Sequence, residues 1–338
     1  MKTHTTLCAG DWVEVRSKEE ILETLDKNGR LSGLPFMPQM FKYCGQSFQV
    51  YKRTHKTCDT VGSSGSRCLP DGVHLEHRCD GKAYGGCQAG CLIFWKEAWL
   101  KPIAGDESRS ATANRKASGE VDARCSCTED DVWRAINYSP TGEQARFFCQ
   151  ATELRNFTAP LKWWDARQYV ETYRSGNASL GEIIRGFLRL LLRHSGEPVR
   201  REALVRVGEP TPSCDLRPGD WVRIKSYDEI LATLDKAGSN RGLSFDAELL
   251  PYCGKVYRVK TRVEKFINER TGKMQRLRTP AVILEGVYCK SLYAGQRLFC
   301  PRSIYSWWRE IWLEKVSETA ISHQLSATKP IIAKHEMA

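Results

Sequence analysis

GDWVEVRSKEEILETLDKNGRLSGLPFMPQMFKYCGQSFQV fills residues 10–50, and GDWVRIKSYDEILATLDKAGSNRGLSFDAELLPYCGKVYRV fills residues 219–259. The offset is a constant 209 with no gap, and 20 of the 41 positions are identical. Self-similarity of that density is an internal duplication, and it decides the layout of the chain. The match resumes downstream, where Leu75 and Glu76 answer Leu284 and Glu285, and Cys79 answers Cys289 after one inserted residue. It closes with WKEAWL at residues 95–100 against WREIWL at residues 308–313.

Each copy repeats one local grammar. Trp12, Val13, Glu14 and Val15 alternate as a half-buried strand, and residues 18–26 read as one or two helical turns. Gly29 and Gly33 punctuate a loop, and Tyr43-Cys44-Gly45 turns into a second strand through Phe48 and Val50. In the second copy Tyr257, Val259, Thr261 and Val263 alternate with Arg258, Lys260 and Arg262. A Thr271-Gly272 turn then leads into a return strand that ends near Arg278. Trp95 with Trp99, and Trp308 with Trp312, are four apart, which predicts one helical face for each pair and a place in the core. Short strands, glycine turns and the Gly-Asp-Trp-Val opening resemble small β-barrels of the Src-homology-3-like kind, including those of some ribosomal proteins.

Between the copies the pattern changes. Residues 104–119 are polar, small and without an aromatic, which predicts a flexible linker. Thr128 with the acids that follow it marks a helix start, residues 160–174 read as a helix closed by Gly176, and residues 180–194 carry Ile183, Ile184, Phe187, Leu188 and Leu191 at helical spacing. The expected fold is therefore α+β, with two duplicated small β-barrel modules flanking a helical middle domain. The expected spans are a first barrel module rich in cysteine and histidine at 9–103, a linker at 104–127, the helical domain at 128–208, a basic second module at 214–316, and a polar tail at 317–338. The YCG turn, the TGKM hairpin and CPRSIYSWWREIWLEKV of the second copy, with FFCQATEL and WWDARQY of the middle, resemble a bacterial family labelled hypothetical. That resemblance spans residues 10–316 and brings no catalytic residues with it.

Composition bounds the class. The chain has 338 residues, 41% hydrophobic and 27% charged, with ten tryptophans, which argues for a folded globular protein and against disorder. Residues 1–11 contain one lysine and no apolar run, so no secretory signal is expected. The most apolar stretch, residues 183–192, is interrupted by Arg185 and Arg189 and is too short to span a bilayer. These features predict a cytoplasmic protein without membrane insertion, whose thiols stay reduced. The sequons at Asn137, Asn156 and Asn177 then carry no glycan.

Fourteen cysteines are more than a chain of this length needs as staples. The duplication sorts them: Cys44 pairs with Cys253, Cys79 with Cys289, and Cys87 with Cys300, while Cys8 and Cys214 lie loosely before each opening. Thiolates in such sets close tetrahedral zinc sites, so Cys44, Cys79, Cys87, Cys91, Cys253, Cys289 and Cys300 are the metal-ligand candidates and zinc the expected cofactor. Cys79, Cys87 and Cys91 would alternatively carry an iron–sulfur cluster. Against both stands the absence of any C-x2-C knuckle, since buried cysteine also serves as a small hydrophobe.

The charge is uneven. Residues 218–338 hold 20 basic against 13 acidic groups, net +7 of the chain's +11. Arg258, Lys260 and Arg262 share one face of a strand, and Arg276 and Arg278 share a face of the return strand. This predicts a positive ribbon able to follow phosphates, although a basic face also protects a sheet edge. Arg185, Arg189 and Arg193 make a second stripe on the last middle helix, most simply a solvated face.

No phosphate-binding loop, dinucleotide fingerprint, HExxH or GxSxG is present, and no acid–base or nucleophile set assembles. The leading expectation is a non-catalytic binding protein whose second module engages nucleic acid or another polyanion. One alternative is an enzyme or accessory protein of a small-molecule pathway, with a pocket around Trp164, Asp165, Arg167 and Tyr169. The other is a protein–protein adaptor.

Overall fold

The duplicated stretch folds twice into the same run of elements. In the first copy the strand Trp12–Val15 lies between Ser47–Gln49 and Leu100–Pro102, antiparallel to both. In the second, Trp221–Ile224 lies between Val256–Ile267 and Leu313–Lys315, again antiparallel to both. Each strand runs into a short helix, Lys18–Thr24 or Tyr227–Leu231, through a capping box. Ser17 and Ser226 accept the Glu20 and Glu229 backbone N–H groups, and the two carboxylates accept the serine N–H groups in return, at 3.0 and 2.8 Å. A two-residue turn follows in each copy, Ser32-Gly33 or Arg241-Gly242, with both residues in the left-handed region that a tight hairpin requires.

The structure is a computed structural model and describes residues 6–62, 65–103, 127–139, 143–195, 215–293 and 295–317. Most of the expected linker and tail, with Cys125, Cys214 and the Arg193 side chain, lies outside the described residues. The chain forms two compact units. The first comprises Met1–Gly196, Lys265–Arg276 and Lys290–Ile304, and the second comprises Glu197–Glu264, Leu277–Cys289 and Tyr305–Ala338.

The expected barrels are not there. Among the described residues the first unit's strands fall into several separate two- and three-stranded sheets, most strands being two or three residues long. Strands that short exchange too few ladder hydrogen bonds to carry pairing around a closed wall. The second copy instead builds a five-stranded open sheet in the order Tyr305–Trp308, Met274–Tyr288, Val256–Ile267, Trp221–Ile224, Leu313–Lys315, and its two edge strands do not pair with each other. Its long strands extend as a hairpin rather than bending round.

The helical middle domain is likewise corrected. The segment after Cys127 has short helices, Glu129–Arg134 and Leu154–Phe157, and strands at Asn137–Tyr138, Arg146–Phe147 and Ala159–Leu161. Ala159–Leu161 pairs with Ser66–Cys68, a strand within the first copy's span. Val132, Phe147, Leu154 and Phe157 are buried in one core with Val13, Trp95 and Trp99. One-turn helices cannot bury their apolar residues alone, so these complete the first copy's core. The helix expected over residues 160–174 is confined to Arg167–Arg174, because the chain before it is engaged in that strand. In the helix Leu180–Ser195, Ile183 and Phe187 pack on Leu298 and Phe299, whereas Ile184, Leu188 and Leu191 are exposed.

The tryptophan pairs are core residues, but not on helices. Trp95 and Trp308 sit in strands, and Trp99 and Trp312 in the single 3-10 turns that follow. All four are fully buried. Trp99 Nε1 donates to Thr24 Oγ1 at 3.0 Å, and Trp312 Nε1 donates to Thr233 Oγ1 at 2.8 Å. Phe36 meets Trp99 edge-on with centroids 5.2 Å apart, and Phe245 meets Trp312 at 5.5 Å. In such pairs the ring edge faces the partner's negative face.

Candidate functional site

Two cavities, one in each unit, gather the chemistry-bearing side chains. The first begins with a short antiparallel bridge between Arg78 and Leu92, which brings the Cys79 N–H to the Cys91 carbonyl at 2.8 Å. Between them the chain coils tightly, with the Tyr84 and Gly86 N–H groups both donating to the Gly81 carbonyl. Gly81 has φ +69°, and a Cβ there would lie 1.9 Å from the Cys87 carbonyl oxygen. Only glycine fits that crossing, which sets Cys87 close to the Cys79 arm.

Cys149 arrives from another segment. Its neighbour Gln150 is buried and clamps three backbone groups: its Oε1 accepts the Phe94 N–H, and its Nε2 donates to the carbonyls of Phe94 and Pro35. Cys79, Cys87, Cys91 and Cys149 then line one cavity together with Tyr84, Met37, Phe94, Ile267 and Arg302. The cavity holds about 30 Å³. Gln39 Nε2 donates to Cys79 Sγ at 3.2 Å, and the Ile267 N–H donates to Cys87 Sγ at 3.4 Å.

Burial pushes the Cys79 thiol up to about 12 and the Cys149 thiol to about 11, and it raises Cys91 as well. The mutual proximity of Cys79, Cys87, Cys91 and Cys149 adds to the effect. Arg302 is fully buried, pairs with Glu269 at 2.9 Å and donates to Thr60 Oγ1 at 2.9 Å. Burial works against its charge, but the Glu269 carboxylate and then the thiols nearby outweigh that and hold it protonated.

The other metal-ligand candidates lie elsewhere. Cys44 and Cys253 occupy equivalent half-buried positions after the 3-10 turns of the two copies. Cys300 is buried in the first unit, where its sulfur accepts the Cys58 N–H at 3.1 Å. Cys289 belongs to the second unit and is half-buried. Among the described residues, no three of His, Cys, Asp or Glu form a set that could hold a single metal ion.

The second cavity, about 180 Å³, lies in the second unit and is lined by Arg241, Arg262, Arg278 and Arg309 with Asn240, Thr279, Pro280, Glu310 and Ile311. Arg309 builds its wall. The buried guanidinium donates to the carbonyls of Asn240 at 3.0 Å, Arg241 at 2.7 Å, Pro280 at 3.3 Å and Thr279, fastening the Arg241-Gly242 turn to the hairpin strand. Burial, and then the Arg241 charge, lower its pKa. Arg262 pairs with Glu310 and with Glu264 at 3.4 Å. Arg241 and Arg278 are exposed and make no ion pair with any described residue. Arg241 holds φ +48°, a conformation that costs a non-glycine residue about 1 kcal/mol or more.

Of the five expected phosphate-contacting residues, the cavity unites Arg262 and Arg278. Arg258 is exposed and donates to the Gly219 carbonyl, and the Lys260 ammonium sits over the Tyr305 ring. Arg276 is exposed in the stretch Lys265–Arg276, which belongs to the first unit. The alternative pocket residues line neither cavity. Trp164 is 62% exposed, Arg167 forms a solvent-facing pair with Asp165 at 2.7 Å, and Tyr169 packs on Phe187 and Phe299.

Sequence reading missed Cys149, Arg241, Arg309, Arg302 and the buried Lys56. Lys56 Nζ donates to Gln168 Oε1 at 2.7 Å and to the Leu298 carbonyl, and burial brings its pKa down to about 8. A signal existed for Arg309: it replaces Lys96 in a block whose only other difference is Ala98 against Ile311. Lys96 is neutralised by both carboxylate oxygens of Asp71 at 2.8 Å, whereas Arg309, among the described residues, donates to backbone carbonyls. Among the described residues, no helix is long and apolar enough to cross a membrane. Set against protein-family models, curated proteins and solved structures, the chain matches none.

Proposed function

We propose that this protein is a non-catalytic polyanion-binding protein, and that its second unit grips the phosphate backbone of nucleic acid at the arginine-lined cavity. The observation that carries this reading is the convergence of four guanidinium groups on one cavity of about 180 Å³ with Glu310 as its only acidic lining residue. Arg241 and Arg278 supply the phosphate contacts, because their charges are not spent on ion pairs among the described residues. Arg309 and Arg262 are the framework, fixing the turn and the strand that present them. The strained backbone of Arg241 favours the same reading, since a short polar residue or glycine would suit that turn better.

Phosphate binding releases counterions, so affinity falls steeply with salt. Binding of the full chain to single- and double-stranded oligonucleotides, titrated with salt, is the test. The expected result is a log–log slope that becomes shallower by about one for each of Arg241→Gln and Arg278→Gln. Binding that is absent, or insensitive to salt, overturns the reading.

A further inference from the structure

We infer, resting on the phosphate-binding reading above, that the arginine-lined cavity selects the terminal phosphate monoester of a nucleic-acid strand over the phosphodiesters within it. The duplication shows where the cavity's charge comes from. Val73 stands opposite Trp95 in the first copy, and Val282 stands opposite Trp308 in the second. That register puts Asp71 and Pro280 at equivalent places, beside Lys96 and Arg309 respectively. Both copies keep one ion pair here, Arg53 with Glu97 at 2.5 Å in the first and Arg262 with Glu310 in the second. The other pair, Lys96 with Asp71 at 2.8 Å, has lost its acid in the second copy, where Pro280 stands in place of the carboxylate. At the same offset of 209, Arg241 stands where the first copy has Ser32, and Arg278 where it has Leu69. The first copy's set is therefore neutral, whereas four arginines against Glu310 leave the second copy's at +3.

Arg309 carries the consequence. Its buried guanidinium donates to four backbone carbonyls, which satisfy N–H groups but bring no net charge. A buried cation deprived of its acid is destabilising, and an anion bound beside it restores the balance. An internal phosphodiester brings one negative charge on a strand that continues in both directions. A terminal monoester concentrates about −1.5 to −2 on three acceptor oxygens. A strand end also enters a cavity of about 180 Å³ without having to thread through it. Arg241 and Arg278, whose charges are not spent on ion pairs among the described residues, meet those oxygens as planar forks.

Binding of the full chain to one single-stranded oligonucleotide in three forms, at one fixed salt concentration, tests this. The forms carry a 5′-phosphate, a 3′-phosphate, or hydroxyls at both ends. At least one phosphorylated form should bind about tenfold more tightly than the hydroxyl-ended one. Arg241→Gln/Arg278→Gln should remove that preference. Pro280→Asp, which restores the carboxylate of the first copy, should remove it too, and Pro280→Asn, which brings the shape without the charge, should remove less. Equal and salt-sensitive binding of all three forms overturns this inference and leaves the nucleic-acid reading standing, whereas binding of none overturns both. A preference that survives Pro280→Asp, or a phosphoserine peptide bound as tightly as the phosphorylated oligonucleotide, also overturns the inference.

Discussion

The two copies keep one core and differ in what they hang from it. Both use the serine–glutamate capping box, the buried tryptophan pair and the threonine hydroxyl that takes an indole N–H. Both even leave the same indole, Trp95 Nε1 or Trp308 Nε1, buried without a partner among the described residues. Past residue 50 the first copy breaks into short strands and a glycine-rich coil that holds thiols. Past residue 259 the second copy stays extended as a hairpin whose base is ringed by arginines. A duplicated core thus preserves packing, while the excursions between core strands are open to specialisation.

The equivalence of the cores has the largest expected effect. Trp99→Ala and Trp312→Ala should each cost about 3–5 kcal/mol in unfolding free energy, since each removes a fully buried indole and its hydrogen bond. Chemical denaturation with hydrogen exchange to localise the loss would measure both. A cost several-fold smaller in one copy would break the comparison.

Acid should separate the copies. Burial holds His55 and His74 down to about 3 and His77 to about 4, against an ordinary value of 6.5, and all three lie in the first unit. Below pH 6.5 the unfolded chain binds protons that the folded unit refuses, so stability falls as pH is lowered towards 4, by about 1.4 kcal/mol per pH unit for each fully buried histidine. Residues 215–317 contain no histidine. Protection of the second unit's amides, corrected for intrinsic exchange, should therefore change less over that window. A His55→Gln/His74→Asn double variant should flatten the first unit's response. Parallel acid loss in both units, or no flattening, would contradict this assignment.

The caps give the smallest effect. Ser17→Ala and Ser226→Ala should each cost about 1 kcal/mol, equally, because each removes one acceptor from the same N-terminal geometry. Thermal unfolding of the two single variants would show whether the equality holds.

Local structure was legible in the residues, and closure was not. The strand Trp12–Val15, the helix beginning at Lys18 and the Thr128 cap follow from short-range patterns that need no distant partner. The barrel expectation failed because it required strand pairing around a wall, which the alternation of any one strand does not encode. The tryptophans at spacing four suggested a helix, but a strand followed by a 3-10 turn also buries both. At the sites, Arg262 and Arg278 stood out by charge, Cys79 and Cys87 by repetition, and Cys91 by its closeness in sequence to Cys87. Cys149 and Arg241 did not, since each joins its site through contacts distant in sequence or through a turn whose first-copy residue is Ser32.

The salt dependence of nucleic-acid binding tests most directly whether the copies have divided their labour. Wild type and a thiol-cavity variant, Cys87→Ser, should give the same steep slope, whereas Arg241→Gln/Arg278→Gln should be shallower by about two. Identical slopes for the arginine variant and wild type, or a loss of binding confined to Cys87→Ser, would contradict the account.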